Sequence, residues 1–212
     1  MLSTTPRTTL GREKQRAATD RAELYEVLDS ALICHLGVVR DGHPMVVPTG
    51  YGRIGETLYL HGSTGATSLR SGQGTEVCVT VTHVDGIVLA RSIFNHSFNY
   101  RCAMIYGTAR LVTDPDERLE GLRALSEHLA PGQWDYTRRP TRKELAATSV
   151  LALPLEEASV KLRRGAPDDE DADYALPIWA GVLPVVTGFG TPVPDPVLPE
   201  GTAVPPHILH RR

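Results

Sequence analysis

Residues with chemical potential gather in three places. In "FNHSFNYRCAMIYGTARLV", Phe94 to Val112, the side chains of His96, Asn99, Tyr100 and Arg101 stand at the entrance to an apolar run. An arginine so placed needs an anion, and its planar fork matches a phosphate or a carboxylate. Strand alternation puts Asn99, Arg101 and Ala103 on one side and Tyr100, Cys102 and Met104 on the other. An ion pair with an acidic residue of the chain, or a guanidinium reaching to water, serves Arg101 equally well. The second place is "LYLHGSTGATSLRSG". There a strand ending in His61-Gly62-Ser63 passes into a short helix near Thr64 to Arg70. Backbone N–H groups and the hydroxyls of Ser63, Thr64 and Thr67 would then converge on a spot suited to phosphate. The same residue types also make plain turns. The third is "VPTGYG", Val47 to Gly52. Pro48 has no N–H and so marks a bulge or margin of a sheet, which frees the backbone of Thr49 and Gly50 for a ligand or simply ends a hairpin. His61 and His96 are the candidate proton donors, since imidazole titrates near neutral pH.

Other chemistries find little support. The eight histidines are scattered without H-E-x-x-H spacing, so no metal site is expected. Nucleophile-elbow, P-loop and dinucleotide-fold motifs are absent. With 22 basic against 25 acidic residues, the net charge of -3 provides no footprint for nucleic acid or an anionic membrane. No apolar run approaches the roughly 20 residues of a membrane span, and the first residues are charged where a leader would be apolar. A cytoplasmic protein is expected. Cys34, Cys78 and Cys102 each lie in strand-like runs, which fits reduced, packed thiols.

The elements that must position these residues are mostly strands. Residues 13–30 show helical spacing of Ala17, Leu24, Val27 and Leu28. Asp41-Gly42 suits a tight hairpin turn between two apolar runs. A third strand, "ETLYLHG", follows, then "EVCVTVTHV", a turn at "VDG", and "IVLARSIF". Asp114 and Pro115 open a helix as N-cap and first residue. "TRKELAATS" reads as a shorter helix, and "VLALPLEEASVKLRRG" as a last strand interrupted by Pro154. Many short strands joined by hairpins point to an antiparallel barrel. Residues 1–165 form the expected barrel domain with its opening helix. Residues 166–212, acidic and then proline-rich, form an arm packed on the barrel or on a partner subunit.

The ordered set "VVPTGYG", "LYLHGST", "DGIVLARSIFNHSFNYRCAMIYGTARLV" and "VKLRRGAPDDEDADYALPIWAGVLP" resembles the FMN-binding split β-barrel proteins related to pyridoxamine 5'-phosphate oxidase and nitroimidazole-resistance flavoproteins. The likeness spans roughly residues 20 to 190. It implies a mainly β fold with flanking helices, a six-stranded antiparallel split barrel, and a homodimer holding FMN at its interface. Carried onto this chain, it places His61, Gly62, Ser63 and Thr67 at the phosphate or ribityl chain, and Pro48, Thr49 and Tyr51 beside the flavin ring. Asn99, Tyr100 and Arg101 complete the site, with Trp179 supplied by the arm. Where related oxidases carry a basic residue toward the phosphate, this chain has Ala66 and Thr67, and its next cation is Arg70. The vitamin oxidase's substrate-binding pattern is not evident around Trp179. The resemblance implies an FMN-dependent oxidoreductase acting on a small molecule, the alternative being a non-catalytic flavin carrier or sensor. In the wider superfamily it also implies that a deazaflavin or haem can take the flavin's place.

Overall fold

Asp20 caps the first helix, α1 (Arg21–Ser30), its carboxylate accepting from the Ala22 N–H at 3.0 Å. The helix starts later than the 13–30 spacing predicts, because Lys14–Arg16 form a separate 3₁₀ turn. Next, β1 (Cys34–Arg40) reverses into β2 (His43–Thr49) through Asp41 and Gly42, both left-handed with φ of 50° and 79°. Aspartate and glycine tolerate that region best, so the predicted hairpin forms where expected. β3 (Tyr51–Ile54) pairs with β4 (Thr57–Ser63), and α2 (Thr67–Gly72) follows.

The hairpin predicted at "VDG" does not form. Instead β5 (Glu76–Leu89) runs through, with only a bulge between Val84 and Gly86, and β6 (Ser97–Thr108) pairs along it. After β7 (Arg110–Leu111), Asp114 accepts from the Glu117 N–H at 2.8 Å and opens α3 (Pro115–Leu129) as predicted. α4 (Gln133–Tyr136) and α5 (Arg142–Ala146) are short, the latter set by a Thr141–Glu144 capping box. β8 (Thr148–Pro154) and β9 (Glu157–Arg163) are two strands belonging to different sheets, not one interrupted at Pro154. β10 (Gly181–Pro184) then pairs with the far half of β5, and α6 (Pro206–Leu209) lies near the end of the chain. A Cβ on Gly86 would stand 2.8 Å from Val182, so this glycine serves the close approach of β10 and not a reversal.

The computed structural model describes residues 1–211. Its strands make a split β-barrel of two antiparallel sheets. One is ordered β2-β1-β5-β6-β9 with β10 beside β5, and the other β3-β4-β8-β7. The sheets therefore hold six and four strands, more than the six predicted in all. Between them Leu36, Val79, Val81, Ile105 and Val160 pack with Leu58, Leu60, Leu151 and Leu153, while Leu24, Val27 and Leu28 of α1 close one side. Each such side chain contributes about 1.5–3 kcal/mol when fully buried. On the outside of the second sheet α3 packs so closely that a Cβ on Gly52 would lie 2.5 Å from the backbone of Ala124 and Leu125. No helix among the described residues is long and apolar enough to cross a membrane.

Candidate functional site

Two clefts border residues singled out by the sequence. The first, about 760 Å³, lies between the C-terminal end of α1, the bulged part of β5, and the arm. Arg101, Asp85, His83 and Ser30 line it, with Val185, Val186, Phe189 and Arg211 on the arm side. The second, about 460 Å³, lies between the end of β4 and the α3–α5 layer. His61 and Thr148 form one wall. Leu122, Leu125, Ser126, Leu129 and Trp134 form the other, with Arg138 and Glu144 also lining the cleft. Both volumes fall in the range of small-ligand and cofactor sites.

Arg101 is not left for an external phosphate. Its Nη2 and Nε donate to Asp85 at 3.0 and 3.1 Å, its Nη1 donates to Ser30 Oγ at 3.3 Å, and Glu26 is 3.7 Å away. The bulge that turns Asp85 toward Arg101 supplies the anion the sequence left open. Their hydrogen bond, more than their mutual charge, holds the Asp85 carboxyl below and the guanidinium above their ordinary pKa.

Tyr51 is a core residue instead of a flavin contact. It is fully buried, its hydroxyl donates to the Leu28 carbonyl, and its ring meets His128 at 4.5 Å. Burial pushes its pKa well above the usual phenol value.

The rest of the β6 motif makes contacts within the chain. Asn99 donates to the Gly165 carbonyl at 3.0 Å and accepts from Arg163 at 2.6 Å, while Tyr100 stands opposite Arg163 in the β6–β9 ladder. His96 donates from Nε2 to the Ala90 carbonyl at 3.2 Å, which fixes a loop. Trp179 is 68% exposed and folds back on Gly181.

The second predicted group stays together. Gly62 meets Leu69 of α2, where a Cβ would lie 2.6 Å from the end of its side chain, so a larger residue would have to displace Leu69. Ser63 and Thr67 are exposed around the turn, and Pro48 and Thr49 end β2 just before β3 pairs with β4. Ala66, the N-cap of α2, has no side-chain oxygen. Consequently, among the described residues, the N–H groups of Thr67, Ser68 and Leu69 have neither a backbone partner nor a side-chain cap. Arg70 follows them, exposed and paired with no carboxylate among the described residues. Open N–H groups, hydroxyls and a free cation fit a phosphate or pyrophosphate.

His61 faces away from Gly62 and Leu69, since neighbouring residues of a strand point to opposite sides. Its ring, partly exposed, lines the cleft under α3, and the loss of part of its hydration there lowers its pKa.

Sequence reasoning missed Asp85, hidden in an apparent turn, and the wall of Leu122, Leu125 and Trp134. The helical spacing of Leu122, Leu125 and Leu129 was a signal for an apolar face but not for what it covers. The cysteines are free; Cys34 is buried, which pushes its thiol up to about 12. No group of three or more metal-binding side chains occurs among the described residues.

The family model for pyridoxamine 5'-phosphate oxidase matches residues 20–162, and the chain belongs to that family. It is similar over 98% of its length to 97% of the flavocytochrome Anf3 from Azotobacter vinelandii, with 36% identity and a TM-score of 0.93. It is also similar to the FAD and heme binding protein from Mycobacterium smegmatis, with 43% identity over 91% of this chain and 95% of that one, and a TM-score of 0.88. The fold alone is shared with a protein assigned to 5-nitroimidazole antibiotic resistance from Bacteroides thetaiotaomicron, at 23% identity and a TM-score of 0.55, covering 68% of this chain and 85% of that one. No curated protein matches.

Proposed function

We propose that this protein is a flavin-dependent redox protein that also carries haem and acts as a homodimer. The observation that carries the reading is near-full-length likeness, at 36% and 43% identity, to a flavocytochrome and to an FAD and heme binding protein. FAD, not the FMN implied by the sequence resemblance, is the proposed flavin, because FAD is the one named for the second relative. Ser63, Thr67, the open N–H groups of α2 and Arg70 hold its phosphates, with Pro48 and Thr49 beside its ring. Bound flavin supplies hydride or electron transfer, and the chain's part is to bind, orient and shield it. The free N–H groups and the Arg70 guanidinium counter the phosphate charge through charge-assisted hydrogen bonds, roughly twice as strong as neutral ones.

The second subunit is proposed to cover the outer face of the larger sheet, where Val39 and Val46 are 63% and 65% exposed. A redox enzyme is favoured over a sealed carrier because Trp179, the residue expected to cover the ring, is itself largely exposed. The test is a visible spectrum of the purified full chain with NADH or NADPH, with and without oxygen, followed by chromatographic identification of the flavin released on denaturation. FAD is expected. A colourless protein that takes up neither added FAD nor added FMN sinks the reading.

A further inference from the structure

We infer that the cleft between β4 and α3 is the haem pocket and that His61 is an axial ligand to the iron. The inference rests on the redox reading above and assigns a position to its second cofactor.

The pocket has the attributes that haem requires. Its wall of Leu122, Leu125, Leu129 and Trp134 is apolar and matches the face of a porphyrin, while Arg138 lies beside Glu144 where charged propionates can reach it. The Arg138–Glu144 pair is solvent-exposed, with side chains 69% and 47% accessible, so opening it toward a propionate costs little. His61 presents its ring to this cavity, and among the described residues neither of its nitrogens has a hydrogen-bond partner.

An imidazole with an unpaired nitrogen, standing at the mouth of an open cleft with leucines and a tryptophan on one wall and polar side chains at its rim, is a group that haem iron binds. The other histidines near clefts are engaged: His83 Nε2 lies 3.1 Å from the Val27 carbonyl, and His128 Nε2 lies 2.6 Å from that of Ala31. Gly62 follows His61 on β4 and faces Leu69 of α2, so haem and the N-terminal turn of α2 would stand on opposite sides of one strand, with Ser63 at the strand's end between them. That short separation suits electron exchange within one chain.

The experiment titrates hemin into the purified full chain, wild type, His61→Gly and Ser126→Phe, following the Soret band while measuring flavin content on the same samples. Thermal melts check that each variant is folded. Wild type is expected to bind one haem per chain with a sharpened, shifted Soret band. His61→Gly should lose that band and regain it with added imidazole, and Ser126→Phe, which fills the cleft, should lose binding altogether. Flavin content should stay unchanged in both variants. A folded His61→Gly with the wild-type spectrum, or a folded Ser126→Phe with undiminished binding, overturns the assignment. Wild type that retains flavin but binds no haem overturns the haem pocket alone, whereas loss of both cofactors overturns the redox reading as well.

Discussion

Arg101 and Asp85 face each other across the β5–β6 ladder, joined through Nη2 and Nε at 3.0 and 3.1 Å where β5 bulges. The pair is half-buried, with side chains 19% and 33% exposed. Asp85→Asn is therefore expected to destabilise the fold by about 1.5 kcal/mol, the low end for hydrogen bonds to charged groups, because water reaches the site. Urea melts as a function of pH check this. The folded pKa of Asp85 is depressed, so its contribution is present above the unfolded value of about 4 and is lost as pH falls through the folded value. The gap between wild type and variant should be constant near neutrality and close in acid.

Arg70 is the cation free to meet a phosphate, whereas Arg101 is already paired. Arg70→Ala is expected to weaken flavin retention by about 1.5–3 kcal/mol, and Arg101→Ala by much less. Fluorescence titration of flavin into stripped protein measures both. Equal losses would put the phosphate elsewhere.

Tyr51→Phe should cost about 1–3 kcal/mol of stability, because it leaves the buried Leu28 carbonyl without its partner. Flavin content per folded chain should not change. A spectral change in the flavin, with stability intact, would return Tyr51 to the site.

Gly52→Ala should destabilise by about 1–3 kcal/mol or prevent folding, since its Cβ would meet rigid backbone of α3 at 2.5 Å. Gly50→Ala, with nothing within 4 Å of the added Cβ, is the control and should melt like wild type.

The fold was legible wherever local chemistry decides it. The Asp41-Gly42 turn, the Asp114-Pro115 helix start and the alternation of the β6 side chains all act over a few residues. What could not be read depended on distant partners. "VDG" resembles a hairpin turn until β10 is known to cross at Gly86, and Arg101 resembles an anion receptor until Asp85 is seen to occupy it. The family resemblance places Tyr51 beside the flavin ring with Pro48 and Thr49, but α1 covers it through the Leu28 carbonyl. Of the candidate site, the run from His61 to Thr67 was readable because its pattern of small and hydroxyl residues is contiguous. The opposing wall comes from residues more than 50 positions later, at Leu122 to Trp134, and no spacing rule links the two.

The pairing of β10 with Ile87, Val88 and Leu89 has a practical result for anyone shortening this protein. Removing the chain beyond Gly165 would strip one flank of β5 and leave its amides and carbonyls bare beside apolar side chains. Such a margin is a template for adding foreign strands, so the shortened protein should precipitate in a concentration-dependent way even if its barrel still folds.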